Sequence, residues 1–108
     1  EDCLGRPAEA IRQLETALRI HPTAYIHAMM GMVYGKNKQY AEALAALEAA
    51  ERLNPAEDLT YFYRGNVYAA TGRPGKAIEQ YRLALQRNPD NQQAARALAR
   101  LMARPPDR

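Results

Sequence analysis

The sequence predicts an all-α protein, a solenoid of antiparallel helix pairs with about six helices. Proline recurs at Pro22, Pro55 and Pro89, at spacings of 33 and 34 residues, and repeats of about 20 to 50 residues are typical of solenoids. No stretch alternates apolar and polar residues long enough to indicate a β-strand. Hydrophobic residues make up 47% and charged residues 25% of the 108 residues, which is typical of one folded domain rather than a disordered chain.

The same two spacings relate positions other than the prolines. Three further sets keep them: Ala10, Ala43 and Ala77; Leu14, Leu47 and Tyr81; and Ala17, Ala50 and Ala84. Gly31 and Gly65 are 34 residues apart, as are Tyr34 and Tyr68. Chance does not place all of these matches in one register, so the chain contains an internal repeat.

Turn signals divide each repeat into two helices. Pro7 and Pro74 suit the first turn of a helix, where a missing N–H costs nothing. The residues that precede the repeated prolines resist the α conformation and therefore end helices. These signals predict helices over residues 7–20, 24–36, 40–53, 58–70, 74–87 and 91–103. The connections are short, so we expect neighbouring helices to pack antiparallel.

Gly31 and Gly65 lie within predicted helices, where each costs about 1 kcal/mol relative to alanine. A cost repeated at one register indicates a shared cause, and we predict that the partner helix approaches closely there. We expect the small side chains of Ala43 and Ala77 to meet the glycines. The residues expected to fill the space around this contact are Tyr34, Tyr68, Leu47 and Tyr81.

The repeat resembles the tetratricopeptide repeat, a helix–turn–helix unit of about 34 residues. The second full unit carries that family's pattern at Tyr61, Gly65, Tyr68, Ala77, Tyr81, Ala84 and Pro89. The first full unit carries it at His27, Met30, Gly31, Tyr34, Ala43, Leu47, Ala50 and Pro55. Arg64 departs from the usual Leu, His27 from a bulky apolar residue and Lys38 from an inter-helix Gly. The resemblance covers residues 4–103 and implies a right-handed solenoid.

The register of the repeat divides the chain into four parts. Residues 1–23 are the second helix of a truncated unit, 24–57 and 58–91 are complete units, and 92–108 form a C-terminal capping helix and tail. Because the first unit lacks its first helix, we expect the chain to be a fragment of a longer array. The apolar residues that would then lie uncovered are Ile11, Leu14, Leu18 and Ile20.

The resemblance implies a concave groove, lined by the first helix of each unit, that holds an extended peptide or a partner helix. The groove positions carried over from the family are Tyr25, Ala28, Met29, Met32 and Lys36; Leu59, Phe62, Tyr63 and Asn66; and Gln93, Arg96, Arg100 and Arg104. One wall is apolar and rich in methionine, which adapts to varied ligands. The other wall is cationic, because Arg96, Arg100 and Arg104 share one helix face, and would suit carboxylates.

Each of these residues also has a structural interpretation. Methionine and aromatic residues at helical spacing are more often core, and the arginines also suit the solvated face of a capping helix. A subset of the family grips a C-terminal carboxylate with a Lys and an Asn on one helix and an Asn on the next. Asn66 matches the first Asn, but Phe62 and Ala97 stand in place of the Lys and the second Asn. We therefore expect no chaperone-tail binding of that type.

The sequence indicates no catalytic residues, no metal site and no cofactor. His21 and His27 are interpreted as structural, Cys3 as a small residue that is either buried or frayed, and Glu48 and Glu51 as surface charge. No nucleophile and base are placed together, and the single cysteine excludes a cysteine-rich zinc site. We therefore expect no enzyme activity from this chain.

Charge and hydropathy limit the partners further. The net charge of +3 lies entirely in residues 92–108 and is too small to indicate nucleic-acid binding. No apolar run is long enough to span a membrane. The sequence assigns no compartment and favours the cytoplasm only slightly.

Three functions fit this sequence. The first is an interaction scaffold that binds a protein or peptide, with a preference for acidic residues, in the concave groove. The second is a structural segment that self-associates into a homo-oligomer through the uncovered helix 7–20. The third is a regulatory appendage of a larger enzyme.

Overall fold

The computed structural model describes residues 7–20 and 23–103, and within them the chain forms six α-helices and no β-strand. The helices are α1 (Pro7–Ile20), α2 (Ala24–Lys36), α3 (Tyr40–Leu53), α4 (Asp58–Ala70), α5 (Pro74–Arg87) and α6 (Gln92–Met102). The predicted all-α solenoid is thereby confirmed. Predictions for Cys3, His21 and Arg104, and for the side chain of Ile20, lie outside the described residues.

The first five helices have the predicted bounds, and α6 is one residue shorter at each end. Asn91, expected inside that helix, instead caps it, because its side-chain oxygen accepts a hydrogen bond from the Ala94 amide at 2.9 Å. Thr23 caps α2 in the same way through the Ile26 amide at 3.2 Å.

The most extensive packing joins α2 to α3 and α4 to α5, as expected of helix hairpins. In addition α1 packs on α2, α4 packs on both α2 and α3, and α6 packs on α5. The division into units at 24–57 and 58–91, flanked by the segments 1–23 and 92–108, stays a prediction.

The hydrophobic core consists of two clusters, one for each hairpin and its neighbour. The first contains Ala24, Ala28, Ala43, Leu47, Ala50 and Val67, and the second contains Tyr61, Phe62, Ala77, Tyr81, Ala84 and Ala94. Equivalent repeat positions therefore occupy equivalent places in the two clusters. Ala28 is fully buried, which is incompatible with its predicted position on the groove surface.

The close helix approach predicted at the glycines is confirmed, but the contacting residue differs from the one expected. A Cβ atom added to Gly31 would lie 2.6 Å from the Cγ of Leu47, and one added to Gly65 would lie 2.6 Å from the Cε1 of Tyr81. The alanines at 43 and 77 are fully buried but do not make this closest contact. The glycines therefore make room for a large side chain one helical turn further along the partner helix.

In each of the two described hairpins, the turn between the helices contains one residue in the left-handed conformation, at the same position of the repeat. Gly72 has a φ of 78°, and Lys38 at the equivalent position has a φ of 63°. Glycine adopts this conformation freely, whereas a side chain there costs about 1 kcal/mol or more. The departure of Lys38 from the repeat pattern thus places a small local strain in the α2–α3 turn.

Arg64 connects three helices. Its guanidinium pairs with Glu51 of α3 at 2.7 Å and donates to Gln80 of α5 at 3.3 Å, and the arginine side chain is only 13% exposed. Glu51, expected to be surface charge only, is instead the partner of a largely buried cation. By contrast Glu48 pairs with Arg52 at 3.4 Å on the exposed surface, as expected.

Candidate functional site

Two adjoining pockets open on the face that α2, α4 and α6 form. The α2–α4 pocket has a volume of about 380 Å³. Its lining residues are Gly31, Met32, Gly35, Lys36, Tyr40, Phe62, Tyr63, Asn66, Val67, Ala70 and Gln93. The α4–α6 pocket has a volume of about 400 Å³. Its lining residues are Phe62, Asn66, Ala69, Tyr81, Gln93, Arg96, Ala97, Arg100 and Leu101.

Three residues line both pockets, so the two form one continuous groove. These residues are Phe62, Asn66 and Gln93. None of the described residues that line the groove is acidic. A ligand that crosses the junction would therefore meet an apolar pocket on one side and two guanidinium groups on the other.

The structure brings most of the predicted groove residues together. Those that line a pocket are Met32, Lys36, Phe62, Tyr63, Asn66, Gln93, Arg96 and Arg100. Tyr25, Met29 and Leu59 line neither pocket. Tyr25 is 52% exposed near the start of α2, and Leu59 packs against both core clusters.

Several lining residues were absent from the predicted site. Tyr40 and Tyr81 belong to α3 and α5, whereas the family resemblance places groove residues only on the first helix of each unit. Gly35 was missed because an absent side chain leaves no signal in a pattern of apolar and polar residues. The i, i+4 spacing from Phe62 through Asn66 to Ala69 or Ala70 was a sequence signal for a further residue on this helix face.

Phe62 forms the floor shared by the two pockets. It is only 8% exposed, and its ring lies 5.2 Å from the ring of Tyr63 and 5.9 Å from the ring of Tyr81, measured between centroids. Tilted aromatic pairs at these distances contribute to stability beyond the area that they bury. Phe62 therefore supports the fold and the pocket floor together.

Asn66 lies at the junction of the two pockets and is held by Tyr81. The Tyr81 hydroxyl donates a hydrogen bond to the Asn66 Oδ1 at 2.6 Å. Burial raises the pKa of Tyr81 against the weaker opposing influence of Arg100, so this hydroxyl keeps its proton at neutral pH. Since the carbonyl of Asn66 is engaged, its Nδ2 remains as a donor for a ligand in the groove.

Arg96 and Arg100 stand one turn apart on α6 and line the same pocket. The guanidinium of Arg96 reaches only Gln92 of its own helix, at 3.5 Å. Within the described part of the chain, neither arginine has a carboxylate partner, in contrast to the Arg64–Glu51 pair. Paired guanidinium groups of this kind are suited to bind carboxylates through two parallel hydrogen bonds.

The start of α4 is acidic, in contrast to the basic α6. Burial raises the pKa of the Tyr63 hydroxyl, and the nearby Tyr25, Asp58 and Glu57 raise it further. Asp58 accepts hydrogen bonds from the side chains of Asn88 at 3.3 Å and Asn91 at 2.7 Å, which fastens the α5–α6 connection to α4. The groove therefore changes from acidic surroundings near the start of α4 to basic ones along α6.

The described residues contain no cluster of three or more His, Cys, Asp or Glu side chains that could hold a metal ion. Burial lowers the pKa of His27 below its ordinary value of 6.5, so the imidazole is neutral at pH 7. Among the helices that the structure describes, none combines the length and apolar character needed to cross a bilayer.

The stacked hairpins and the groove define a helical-repeat protein. The sequence model of the tetratricopeptide repeat family matches residues 28–92, which is more than half of the chain. The chain therefore belongs to the tetratricopeptide repeat family.

Similar human proteins are much longer than this chain. Tetratricopeptide repeat protein 13 from Homo sapiens is 29% identical over 87 residues, which cover 81% of this chain and 10% of that protein. The human protein O-mannosyl-transferase TMTC1 is 32% identical over 72 residues, which cover 63% of this chain and 8% of that protein. The chain thus spans about a tenth of the length of these curated relatives.

Two solved structures share the fold. The crystal structure of MamA matches with a TM-score of 0.76 and 26% identity, covering 90% of this chain and 57% of that chain. The second TPR domain of human RPAP3, solved by NMR in complex with the HSP70 peptide SGPTIEEVD, matches with a TM-score of 0.78 and 23% identity. That match covers 93% of this chain and 84% of that chain.

Proposed function

We propose that this chain is a non-catalytic protein-interaction module that binds an extended segment of a partner protein in the groove between α2, α4 and α6. The observation that carries the proposal is the continuity of two pockets through Phe62, Asn66 and Gln93. An extended backbone suits a groove of this shape, and the Nδ2 of Asn66 is available to a backbone carbonyl at the junction. The RPAP3 domain, which has the same fold, was solved with a bound peptide and supports this proposal.

The charges of the groove favour an acidic partner segment. Arg96 and Arg100 line the α4–α6 pocket without a described carboxylate partner, and Lys36 lines the other pocket. A ligand carboxylate would satisfy these cations, whereas a basic ligand would be repelled. Because Phe62 and Ala97 occupy the positions of the missing clamp residues, we keep the proposal that chaperone tails are not bound in the clamp manner.

Charge reversal on α6 tests this proposal. An array of short synthetic peptides, with acidic and apolar content varied independently, is probed with the parent chain and with the Arg96→Glu/Arg100→Glu variant. We expect the parent to select acidic peptides and the variant to lose them. The control is Arg12→Glu/Arg19→Glu, the same charge change on exposed residues of α1, which lines neither pocket. Equal binding by parent and groove variant would show that the groove is not the site.

Truncation of Phe62 is a poor test of binding, although the residue lies in the groove. Its side chain is almost fully buried against Tyr63 and Tyr81, so Phe62→Ala would remove part of the core. Loss of binding by that variant would not distinguish a damaged fold from a lost contact. The exposed Arg96 and Arg100 are therefore better targets.

A second candidate is a regulatory repeat attached to an enzyme. It is favoured by the 32% identity to a segment of a protein named as an O-mannosyl-transferase. The test is the sequence on either side of this segment in its gene, because the isolated chain shows no turnover under either proposal.

Self-association through α1 is the remaining candidate. Its apolar residues Ile11, Leu14 and Leu18 are half-buried, and α1 packs chiefly on α2. Sedimentation velocity at increasing concentration decides the question, since a species that stays monomeric throughout would exclude it.

A further inference from the structure

Gly35 is a helical glycine that packing does not require. At Gly31 a Cβ atom would collide with the buried Leu47. At Gly35 it would meet only the Cγ2 of Val67 at 3.6 Å, which is an ordinary van der Waals distance. Gly35 is the penultimate residue of α2, where glycine costs the helix less than in its interior, so neither packing nor helix formation requires a glycine at this position. Gly35 lines the α2–α4 pocket, and its missing side chain keeps that pocket open.

The walls of the α2–α4 pocket suit an apolar guest. They include Met32, Phe62, Tyr63 and Val67, while the charged group among its lining residues is that of Lys36. The volume of about 380 Å³ falls in the range of about 300 to 1,000 Å³ that ligand pockets span. Methionine adapts its shape to a guest, so Met32 allows the pocket to accept aliphatic side chains of different form.

We propose that the α2–α4 pocket receives one apolar side chain from the acidic segment that binds the α4–α6 pocket, and that Gly35 determines this specificity. This inference rests on the proposed function, because the two pockets share their floor and a single segment would cross both. The partner is thus a protein segment in which a large aliphatic residue stands beside acidic residues. The carboxylates bind Arg96 and Arg100, and the aliphatic side chain fills the space that Gly35 leaves.

Two probe peptides test the inference on the parent chain. Both are short, acetylated, amidated and acidic throughout, except at one central residue that is leucine in one peptide and alanine in the other. Each CH₂ group buried raises affinity roughly fourfold, so we expect the leucine peptide to bind at least about tenfold more tightly. Fluorescence anisotropy measures both dissociation constants.

The Gly35→Leu variant fills the pocket with a leucine side chain of the protein itself. We expect it to bind both peptides with the affinity that the parent shows for the alanine peptide. Gly35→Ala is the conservative variant and should keep most of the leucine preference. Gly75→Leu is the matched control, because a Cβ at Gly75 has no heavy atom within 4 Å and Gly75 lines neither pocket. Circular dichroism checks that each variant is folded.

The outcomes separate this inference from the proposal on which it rests. If the parent binds both peptides equally, or if folded Gly35→Leu keeps the leucine preference, the inference is wrong while the acidic groove stands. If the parent binds neither peptide, the proposed function fails and the inference fails with it. The comparison of the two peptides on the parent needs no variant, so it can overturn the inference even if Gly35→Leu does not fold, and Gly35→Ala then tests the role of Gly35.

Discussion

Alanine at Gly31 and alanine at Gly35 should change stability in opposite directions, although both sites lie in α2. Alanine favours a helix over glycine by up to about 1 kcal/mol in the helix interior, where Gly31 lies, and by less at Gly35, the penultimate residue of α2. The two substitutions also differ in what the new methyl group meets. At Gly35 it touches the Cγ2 of Val67 at 3.6 Å, so we expect the gain to persist.

At Gly31 the methyl group would lie 2.6 Å from the Cγ and 2.7 Å from the Cδ2 of Leu47. Leu47 is fully buried and cannot swing away. Forcing extra atoms into a packed core costs about 1 to 3 kcal/mol. After the helical gain is subtracted, we expect a net loss of up to about 2 kcal/mol for Gly31→Ala. Gly65→Leu, against the ring of Tyr81, should unfold the chain for the same reason.

Urea denaturation with linear extrapolation measures these differences. The two alanine variants should differ by up to about 3 kcal/mol in the free energy of unfolding, which thermal melting would show as a gap of up to roughly 20 °C for a domain of this size. If Gly31→Ala stabilises the chain as much as Gly35→Ala does, the close contact with Leu47 is not a determinant of the fold.

Three further changes test local features. Lys38→Gly should raise stability by about 1 kcal/mol, because it relieves a φ of 63°, while Gly72→Lys should lower it; urea titration of both variants checks the pair. Thr60→Val should raise the free energy of unfolding by about 1 kcal/mol, because the buried Thr60 hydroxyl has no hydrogen-bond partner among the described residues; a lower melting temperature would contradict this. Burial lowers the pKa of folded His27, so the unfolded chain binds more protons and stability should fall as pH drops through 6.5. His27→Gln should weaken that dependence in melts from pH 5 to pH 8, and an unchanged profile would contradict it.

The predicted groove positions agree with the structure for some residues and not for others. The family resemblance placed Met32 and Asn66 in the groove, and both line the α2–α4 pocket. Ala28 was placed there by the same resemblance but is fully buried in the first core cluster. Helical register selects a face about one side chain wide, but the local helix separation decides which members of that face reach solvent.

Sequence alone determined the fold class and nearly all helix bounds of this protein. Prolines, caps and the repeated small residues act over a few residues, so their effects can be read along the chain. The repeat also placed Leu47 and Tyr81 in the packing between helices, whereas Ala28 and Phe62, expected on the groove, belong to the two core clusters.

Only the tertiary structure decided how the groove is built. It showed that Tyr81 holds Asn66 across the helix pair, that Arg64 joins α3 to α5, and that Gly35 opens a pocket whereas Gly31 closes a contact. Each depends on distances between residues far apart in the chain. The physical reason is that the sequence shows only two glycines in one helix, whereas the atoms packed opposite them make one glycine a steric necessity and the other an opening.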